Sequence, residues 1–276
     1  MGRTIACANQ KGGVGKTTTV VNLASFLSRA GERVLIVDLD PQGNATSGLG
    51  IDRRTLERST YDSIVDGVDL RSVILRDVEG GVDLAPAAIS LAGADVELAG
   101  AMARERRLQR QLEDVRADYE LILIDCPPSL GLLTVNALTA ADAVLIPLQS
   151  EYYALEGLTQ LLATIDLVRD HLNPRLSIEG VLITMADART NLSSDVEAEA
   201  RTHLAGAVYD SVIPRSVRLS EAPSHGRSIA AYAPDSRGGV AYAAFAAEFR
   251  ARHAQGSSRP LAGIPIERSS EMVALS

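Results

Sequence analysis

The stretch NQKGGVGKTTTV, from Asn9 to Val20, concentrates the residues of this chain that are best suited to bind an anion. Of the 27 basic residues (Lys plus Arg), only two are lysine, and both lie here, as Lys11 and Lys16. The glycines of the stretch allow the backbone to turn tightly and to point several N–H groups at one negative charge. Lysine is a compact point charge that fits beside phosphate oxygens, where a wide planar guanidinium does not. The stretch therefore predicts a phosphate-binding loop.

The residues around the loop supply the context that such a loop needs. RTIACAN before it is an apolar strand pattern, and the residues from Lys16 onward have a helical pattern, so the helix N-terminus points its dipole at the bound anion. In the pattern G-x-x-x-x-G-K-[ST], Lys16 reaches the β- and γ-phosphates of a nucleotide and the Thr17 hydroxyl ligates Mg²⁺. The first glycine of that pattern is replaced by Gln10. The predicted nucleotide-binding residues of the loop are Lys11, Gly12, Gly13, Val14, Gly15, Lys16, Thr17 and Thr18.

Three aspartates follow apolar runs that read as buried strands. Asp38 ends VLIVD, and Asp40 lies two residues further on, in a loop with proline and glycine. Since ligands bind at the carboxyl edge of a parallel sheet, we expect Asp40 to orient or deprotonate an attacking water and Asp38 to support Mg²⁺ through water. Asp125 ends LILID and predicts a second magnesium contact, direct or through water. The alternative for each is a structural carboxylate in a turn or helix cap.

Short aliphatic runs alternate with helical patterns along the chain. Continuous apolar runs are typical of strands buried on both faces, and strand–helix alternation predicts a doubly wound, mainly parallel sheet with helices on both faces. The predicted strands are Arg3–Asn9, Arg33–Asp38, Val82–Ala87, Leu121–Asp125, Ala143–Leu148, Ile178–Thr184 and Ala207–Ile213, and the predicted helices include Lys16–Ala30, Asp95–Val115, Ala154–His171 and Asp195–Leu204. No linker divides the chain, so we expect one domain over residues 1–253. Residues 254–276 mix Ser, Gly and Pro without periodicity and predict a disordered tail.

Composition excludes several classes of protein. No apolar run is long enough for a transmembrane helix, and the first residues lack a signal-peptide layout. The two cysteines, Cys7 and Cys126, lie in or beside apolar runs and read as buried, reduced thiols, which favours the cytoplasm. The net charge is −8, but residues 201–253 carry seven Arg against four Asp or Glu. A basic patch on an acidic protein is compatible with nucleic-acid binding.

The loop KGGVGKTT resembles the deviant Walker A motif of the ParA/MinD group of P-loop ATPases. From Arg3 to about Arg252 the chain is similar to ParA proteins of the Soj type, notably in DLDPQGNATSGLG, EGVLITMADARTNLS and VIPRSVRLSEAPSHGRSI. The resemblance implies that Lys11 contacts nucleotide phosphates across a dimer interface and that Asp40 is needed for hydrolysis. It also implies that Glu151 lies near that interface, that Pro214 borders the adenine, and that Arg189 and Arg218 bind the DNA backbone.

The function implied by the resemblance is ATP-dependent chromosome or plasmid partitioning with weak intrinsic ATPase activity. Mg·ATP would drive two subunits into a homodimer that binds double-stranded DNA without reading its sequence. A ParB-like centromere-binding protein would stimulate hydrolysis and release the dimer. Such a protein would be cytoplasmic, associated with the nucleoid and free of the membrane.

Three alternatives belong to other functional classes. A MinD-like membrane ATPase needs a C-terminal amphipathic helix, whereas this tail contains Pro260 and Pro265 and no lysine. A metabolic P-loop ligase or reductase needs a substrate pocket or cluster-binding cysteines, and neither is visible in the sequence. A ParA-like ATPase that positions another cargo would share the ATPase and DNA steps, and the sequence leaves that alternative open.

Overall fold

In the computed structural model, the described part of the chain comprises residues 2–151, 154–187, 191–204 and 206–254. These residues form an eight-stranded sheet with helices packed against both faces. The strands are β1 (Arg3–Cys7), β2 (Val34–Asp38), β3 (Leu75–Glu79), β4 (Val82–Ala85), β5 (Leu121–Asp125), β6 (Ala143–Gln149), β7 (Ser177–Ala186) and β8 (Val208–Pro214). The α-helices are α1 (Lys16–Arg29), α2 (Asn44–Gly48), α3 (Thr60–Ile64), α4 (Ala94–Leu98), α5 (Arg107–Glu113), α6 (Leu132–Ala140), α7 (Ala154–His171), α8 (Asn191–His203), α9 (Val217–Glu221), α10 (Ile229–Tyr232) and α11 (Arg237–Ala254).

The order of strands in the sheet is β3-β4-β2-β5-β1-β6-β7-β8. Every neighbouring pair is parallel except β3 and β4. Strands β2 to β5 lie on one side of β1, and β6 to β8 lie on the other side. The strand order therefore changes direction at β1, and ligands bind at such a switch point in folds of this kind. The predicted doubly wound, mainly parallel sheet is therefore confirmed.

Two hydrophobic clusters, one on each face of the sheet, form the core. Successive residues of one strand enter opposite clusters: Ile5 and Cys7 pack on the α1 and α11 side, whereas Ala6 packs on the side of α5, α6 and α7. Helix α1 presents Val20, Leu23, Ala24 and Leu27 to its cluster, the i, i+3, i+4, i+7 spacing of a buried helix face. Burial on both faces explains why the central strands are continuous apolar runs.

The predicted bounds of β5 and α7 match the structure, and most other predicted elements differ by a few residues at their ends. The single helix predicted over Asp95–Val115 is wrong, because α4 ends at Leu98 and a 3-10 turn precedes α5. Ala103 has a left-handed φ of 50° there, and Asn136 binds the Arg104 carbonyl and the Leu108 N–H through its side chain. Strand β3 was not predicted, because it is a mostly polar edge strand.

The structure bears on two further sequence predictions. Both cysteines are free and buried, as expected. Among the described residues, no helix combines the length and the apolar composition needed to cross a membrane. Apart from Ala254, the predicted tail lies outside the described residues, so its disorder stays a prediction.

Gly180 in β7 is required by a close approach between neighbouring strands. The register between β6 and β7 shifts just before this residue. A Cβ atom at position 180 would lie 2.5 Å from Cε2 of Tyr209 and 2.9 Å from the Ala207 carbonyl oxygen. Tyr209 cannot move freely, since its ring packs edge-on against Phe245 and its hydroxyl donates to Glu179.

We therefore expect Gly180→Ala to lower the free energy of unfolding by about 1–3 kcal/mol, because overpacking a filled core forces neighbouring groups to shift. Gly100→Ala is the matched control, since a Cβ there would meet no atom within 4 Å. The control should stay within about 0.5 kcal/mol of wild type. Urea denaturation followed by circular dichroism measures both values, and equal stabilities for the two variants would contradict the packing argument.

Candidate nucleotide-binding site

The glycine loop connects β1 to α1 at the carboxyl edge of the sheet. Gly13 and Gly15 have left-handed φ values of 74° and 87°, a conformation that glycine adopts without steric cost. Gly15 is the N-cap residue of α1, and no side chain caps this end of the helix. The first N–H groups of α1 are therefore available to an anion, as a helix N-terminus requires for phosphate binding.

Neighbouring segments hold the loop in place. The Thr184 hydroxyl, at the end of β7, donates to the Val14 carbonyl over 2.9 Å. Lys16 is 6% exposed, and its Nζ donates to the Lys11 carbonyl over 3.2 Å. The Lys16 ammonium thus lies inside the curve of the loop, where a phosphate group would meet it. Thr184 was not predicted as a site residue, because no local pattern marks it.

Asp125 is the least satisfied polar side chain of the site. It is fully buried, and neither carboxylate oxygen has a partner with full hydrogen-bond geometry. Burial and then the neighbouring Asp38 carboxylate raise the pKa of Asp125 well above its usual range, and the nearby Thr17 hydroxyl offsets this only in part. A buried carboxylate without a partner is costly unless a cation or donor meets it. Here it lies opposite Cys7 and Asp38 in the strand register, beside the loop.

Asp38 has, in contrast, several hydrogen-bond partners. Its Oδ1 accepts from the Asp40 N–H over 3.1 Å, and its Oδ2 accepts from the N–H and the hydroxyl of Thr46 over 2.9 and 2.7 Å. Burial raises the pKa of Asp38 to about 6, although the Thr46 hydrogen bonds act in the opposite direction. Three of about four acceptor sites are used. The remaining capacity agrees with the predicted contact through water.

Asp40 follows in a tight turn near the loop. It is 6% exposed, its Oδ1 accepts from the Gln42 N–H over 2.9 Å, and its carbonyl accepts from the Gly43 N–H over 2.7 Å. The guanidinium of Arg53 contacts the carbonyls of Pro41 and Gln42 from outside the turn. Asp40 is therefore a turn residue in this state, and a role toward water would use its remaining acceptor sites.

Lys11 is paired within its own chain. Its Nζ donates to Oε2 of Glu151 over 2.8 Å, and its side chain is 34% exposed. The other Glu151 oxygen accepts from Gln149 over 2.6 Å. Asn9 links the backbone of Lys11 to β6. Its Oδ1 accepts from the Lys11 N–H over 3.0 Å, and its Nδ2 donates to the Pro147 carbonyl over 2.8 Å. The structure thus brings the predicted residues Lys11 and Glu151 together, whereas Asn9 and Gln149 were not predicted.

A cavity of about 230 Å³ lies beside the loop. Pro214 is on its wall, together with Gly15, Thr18 and Ser216, and its contact with a nucleotide base stays a prediction. Met185, also on the wall, has a left-handed φ of 54°, an unusual conformation for a residue with a side chain. A second cavity of about 290 Å³ has no residue of the phosphate loop on its wall; it is lined by Arg3, Glu32, Glu120, Leu121, Phe249, Arg250 and His253.

Arg218 lies in α9, directly after β8, at the same edge of the sheet as the loop. Its side chain is 59% exposed, and it pairs with Glu221 one helical turn away at 2.8 Å. The hydrogen bond to Glu221 raises the pKa of Arg218, so the guanidinium stays charged. Arg189, the other predicted DNA contact, lies outside the described residues.

The residues present fit a magnesium ion bound together with nucleotide phosphates. The described residues contain no cluster of three or more His, Cys, Asp or Glu that could hold a metal alone. A phosphate-loop site does not need one, because the Thr17 hydroxyl, one carboxylate and phosphate oxygens share the ion. The unpartnered oxygens of Asp125 would supply that carboxylate.

We expect Asp125→Asn to separate the free-energy cost of burying this carboxylate from its contribution to the binding of Mg·ATP. In nucleotide-free protein with EDTA, the variant should be at least as stable as wild type, because a buried unpaired carboxyl group is removed. The additional stability that Mg·ATP confers on wild type should be lost. Asp142→Asn is the matched control and should lose about 1 kcal/mol, since Asp142 pairs with Arg116 and accepts from the Thr4 N–H. Urea denaturation with and without Mg·ATP measures all three proteins, and a destabilised EDTA form of Asp125→Asn would contradict the assignment.

Comparison with known proteins finds relatives over most of this chain. A protein-family model described as an AAA domain matches residues 2–178. The sporulation initiation inhibitor protein Soj of Bacillus subtilis is 57% identical over 251 residues, which cover 91% of this chain and 99% of that protein. The chromosome-partitioning ATPase Soj of Thermus thermophilus is 54% identical over 250 residues, covering 91% of this chain and 96% of that protein.

A solved structure extends the likeness to three dimensions. Cobyrinic acid a,c-diamide synthase from Mycobacterium smegmatis, with bound ADP and magnesium, is 39% identical, with a TM-score of 0.82 over 94% of this chain and 98% of that chain. The resemblance inferred from KGGVGKTT and the aspartate segments is thus confirmed. The extent and identity of these matches show that this chain belongs to the ParA/Soj family of P-loop ATPases.

Proposed function

We propose that this protein is a chromosome- or plasmid-partitioning ATPase whose Mg·ATP-bound homodimer binds DNA without sequence preference. ATP and Mg²⁺ are its cofactors, as they are in solved relatives with bound nucleotide and magnesium. The observation that carries the proposal is the phosphate loop with the orphaned Asp125 carboxylate beside it, in a chain 57% identical to Soj. Stimulation by a ParB-like partner and a cytoplasmic, nucleoid-associated location belong to the same proposal.

The proposed roles follow the geometry of the site. Lys16 and the loop N–H groups hold the phosphates, and Pro214 borders the base in the adjoining cavity. A magnesium ion held through Thr17 and Asp125, with Asp38 behind a water, would neutralise phosphate charge. Asp40 orients or deprotonates the attacking water. Oδ1 of Asp40 is held by its own turn, so the remaining acceptor sites of the carboxylate would meet that water.

Dimerisation requires Lys11 to change partners. In the single chain Lys11 is held by Glu151, at 34% and 45% side-chain exposure. A half-exposed ion pair contributes at most about 1 kcal/mol, so nucleotide phosphates, which carry more charge, can displace Glu151. ATP then supplies the difference in contacts that favours the closed dimer over separate subunits.

DNA binding in this proposal depends on weak arginine contacts that both subunits of the dimer make. Each subunit presents Arg218 at the edge of the sheet that carries the loop, and Arg189 is proposed as a second DNA contact. Guanidinium–phosphate contacts carry no sequence information, and joining two sets in one dimer multiplies their effect. Glu221 lowers the local positive charge, so each contact is weak alone.

The structural match to cobyrinic acid a,c-diamide synthase favours a second candidate, an ATP-dependent metabolic ligase. Two relatives named for chromosome partitioning are closer in sequence, at 50% and 54% identity. The two candidates differ in one measurable property, because partitioning requires ATP-dependent DNA binding and a ligase does not.

We expect binding to random-sequence duplex DNA with ATP, weak or no binding with ADP or without nucleotide, and a steep fall with added salt. Arg218→Ala should weaken binding and reduce the slope of log K against log salt by about one per subunit, with ATP dimerisation unchanged. Arg189→Ala is expected to act in the same way. Arg33→Ala is the matched control, since Arg33 is exposed and acid-paired but precedes β2 at the opposite edge. Anisotropy of labelled DNA gives the affinities, and no binding in any nucleotide state would favour the ligase.

We expect Asp40→Ala to bind ATP, dimerise and hold DNA while hydrolysing ATP at least about a hundredfold more slowly, because the group that orients water is missing. Lys16→Ala should fail earlier, losing both ATP binding and dimerisation. Phosphate release and light scattering measure the two steps. Normal hydrolysis by Asp40→Ala would remove Asp40 from the mechanism, and normal dimerisation by Lys16→Ala would refute the phosphate-loop role.

A further inference from the structure

We propose that Thr46 is a positioning residue for hydrolysis, which acts through Asp38 to fix the backbone of Asp40. This inference rests on the proposed role of Asp40 and concerns a residue to which the sequence analysis assigned no role. Thr46 lies in the third position of the short helix α2, six residues beyond Asp40, and is fully buried. It does not reach the phosphate loop by any hydrogen bond in the described structure, so its effect on the reaction is indirect.

The Thr46 hydroxyl uses both of its hydrogen-bonding functions. It donates to Oδ2 of Asp38 over 2.7 Å and accepts from the Ala87 N–H over 2.9 Å. The Thr46 N–H donates to the same Oδ2 over 2.9 Å. Since a hydroxyl has one proton to donate, the Ala87 N–H fixes its direction and aims that proton at Asp38. Thr46 thus joins the loop after β4 to the carboxylate at the end of β2.

Asp38 passes this constraint to Asp40. With Oδ2 held by Thr46, Oδ1 is directed at the Asp40 N–H, 3.1 Å away. The Asp38 carbonyl is held separately by the Thr60 hydroxyl over 2.9 Å. The Leu39 N–H also donates to the Asp125 carbonyl over 3.0 Å, but the Asp40 N–H itself is held by the Asp38 side chain. A shift of about 1 Å in a catalytic group can cost about a hundredfold in rate, so this tie matters more for hydrolysis than for binding.

Removal of the hydroxyl would leave two buried groups short of a partner. In Thr46→Val the side-chain shape is kept, but Asp38 Oδ2 loses one donor and the Ala87 N–H loses its acceptor. The Asp38 carboxylate keeps the backbone N–H of residue 46 and the Asp40 N–H as donors, but its orientation, and with it the position of Asp40, is less firmly fixed. The phosphate loop is untouched, because its contacts run to Thr184, Asn9 and Pro147 instead.

The test is single-turnover ATP hydrolysis at saturating Mg·ATP, with rates normalised to ATP-binding sites. Thr46→Val should lower the rate at least about tenfold, while the Kd for a non-hydrolysable ATP analogue stays within about threefold of wild type. Thr46→Ser keeps the hydroxyl and should stay within about twofold in rate. Thr139→Val is the matched control, because Thr139 is equally buried but its hydroxyl donates only to the Val135 carbonyl of α6. If Thr46→Val does not fold, Thr46→Ala against Thr46→Ser gives the same comparison.

The results separate this inference from the role of Asp40. Hydrolysis by Thr46→Val as fast as by Thr139→Val would overturn it, and so would a Thr46→Ser protein as slow as Thr46→Val, which would indicate packing of the methyl group. A rate and an ATP affinity that fall together would also overturn it, since that pattern indicates general damage. Asp40→Ala measured in parallel tests the proposed function itself: normal hydrolysis there removes the target on which Thr46 is proposed to act.

Discussion

The parallel hydrogen bonding of β2, β5 and β1 is the constraint on which the rest of the site depends. This register sets Asp38 opposite Asp125 and Asp125 opposite Cys7, at the edge where the glycine loop begins. Two buried carboxylates are thereby forced together in a place from which water is excluded. Their mutual repulsion and desolvation oppose folding. The site is stable only because other groups, or a bound ligand, compensate these negative charges.

The two carboxylates differ in their hydrogen-bond partners, and this difference suits them to different roles. Asp38 is surrounded by donors from its own segment, so its charge organises a loop. Asp125 lacks such donors, so its carboxylate is available to a cation or a donor from a bound ligand. The same amino acid at the same edge thus stabilises a loop in β2 and remains available for a proposed ligand contact in β5. The distinction comes from Thr46 of α2 and the Asp40 N–H, which donate to Asp38.

The sequence predicted the parts of the site that are local. The loop, the strand ending at Asp125 and the helix from Ala154 follow from spacing and apolar runs within a few residues. The pairing of Lys11 with Glu151 joins residues 140 positions apart, and it depends on the strand order, which periodicity does not contain. The interruption before α5 likewise depends on Asn136 from a different helix. Tertiary contacts of this kind overrule local propensity.

The scarcity of lysine gives the protein an unusual chemical surface. Lys11 and Lys16 are the only side-chain amines of the chain, and their exposures differ widely, at 34% of the side chain for Lys11 and 6% of the residue for Lys16. Amine-directed reagents therefore find almost no target outside the glycine loop. Such reagents include the activated acyl groups that attach proteins to sensor surfaces and the acetyl donors of cells. An acylated Lys11 loses its charge and its ion pair with Glu151. Acylation, which leaves the function of most proteins unchanged, would here modify the candidate nucleotide-binding loop itself.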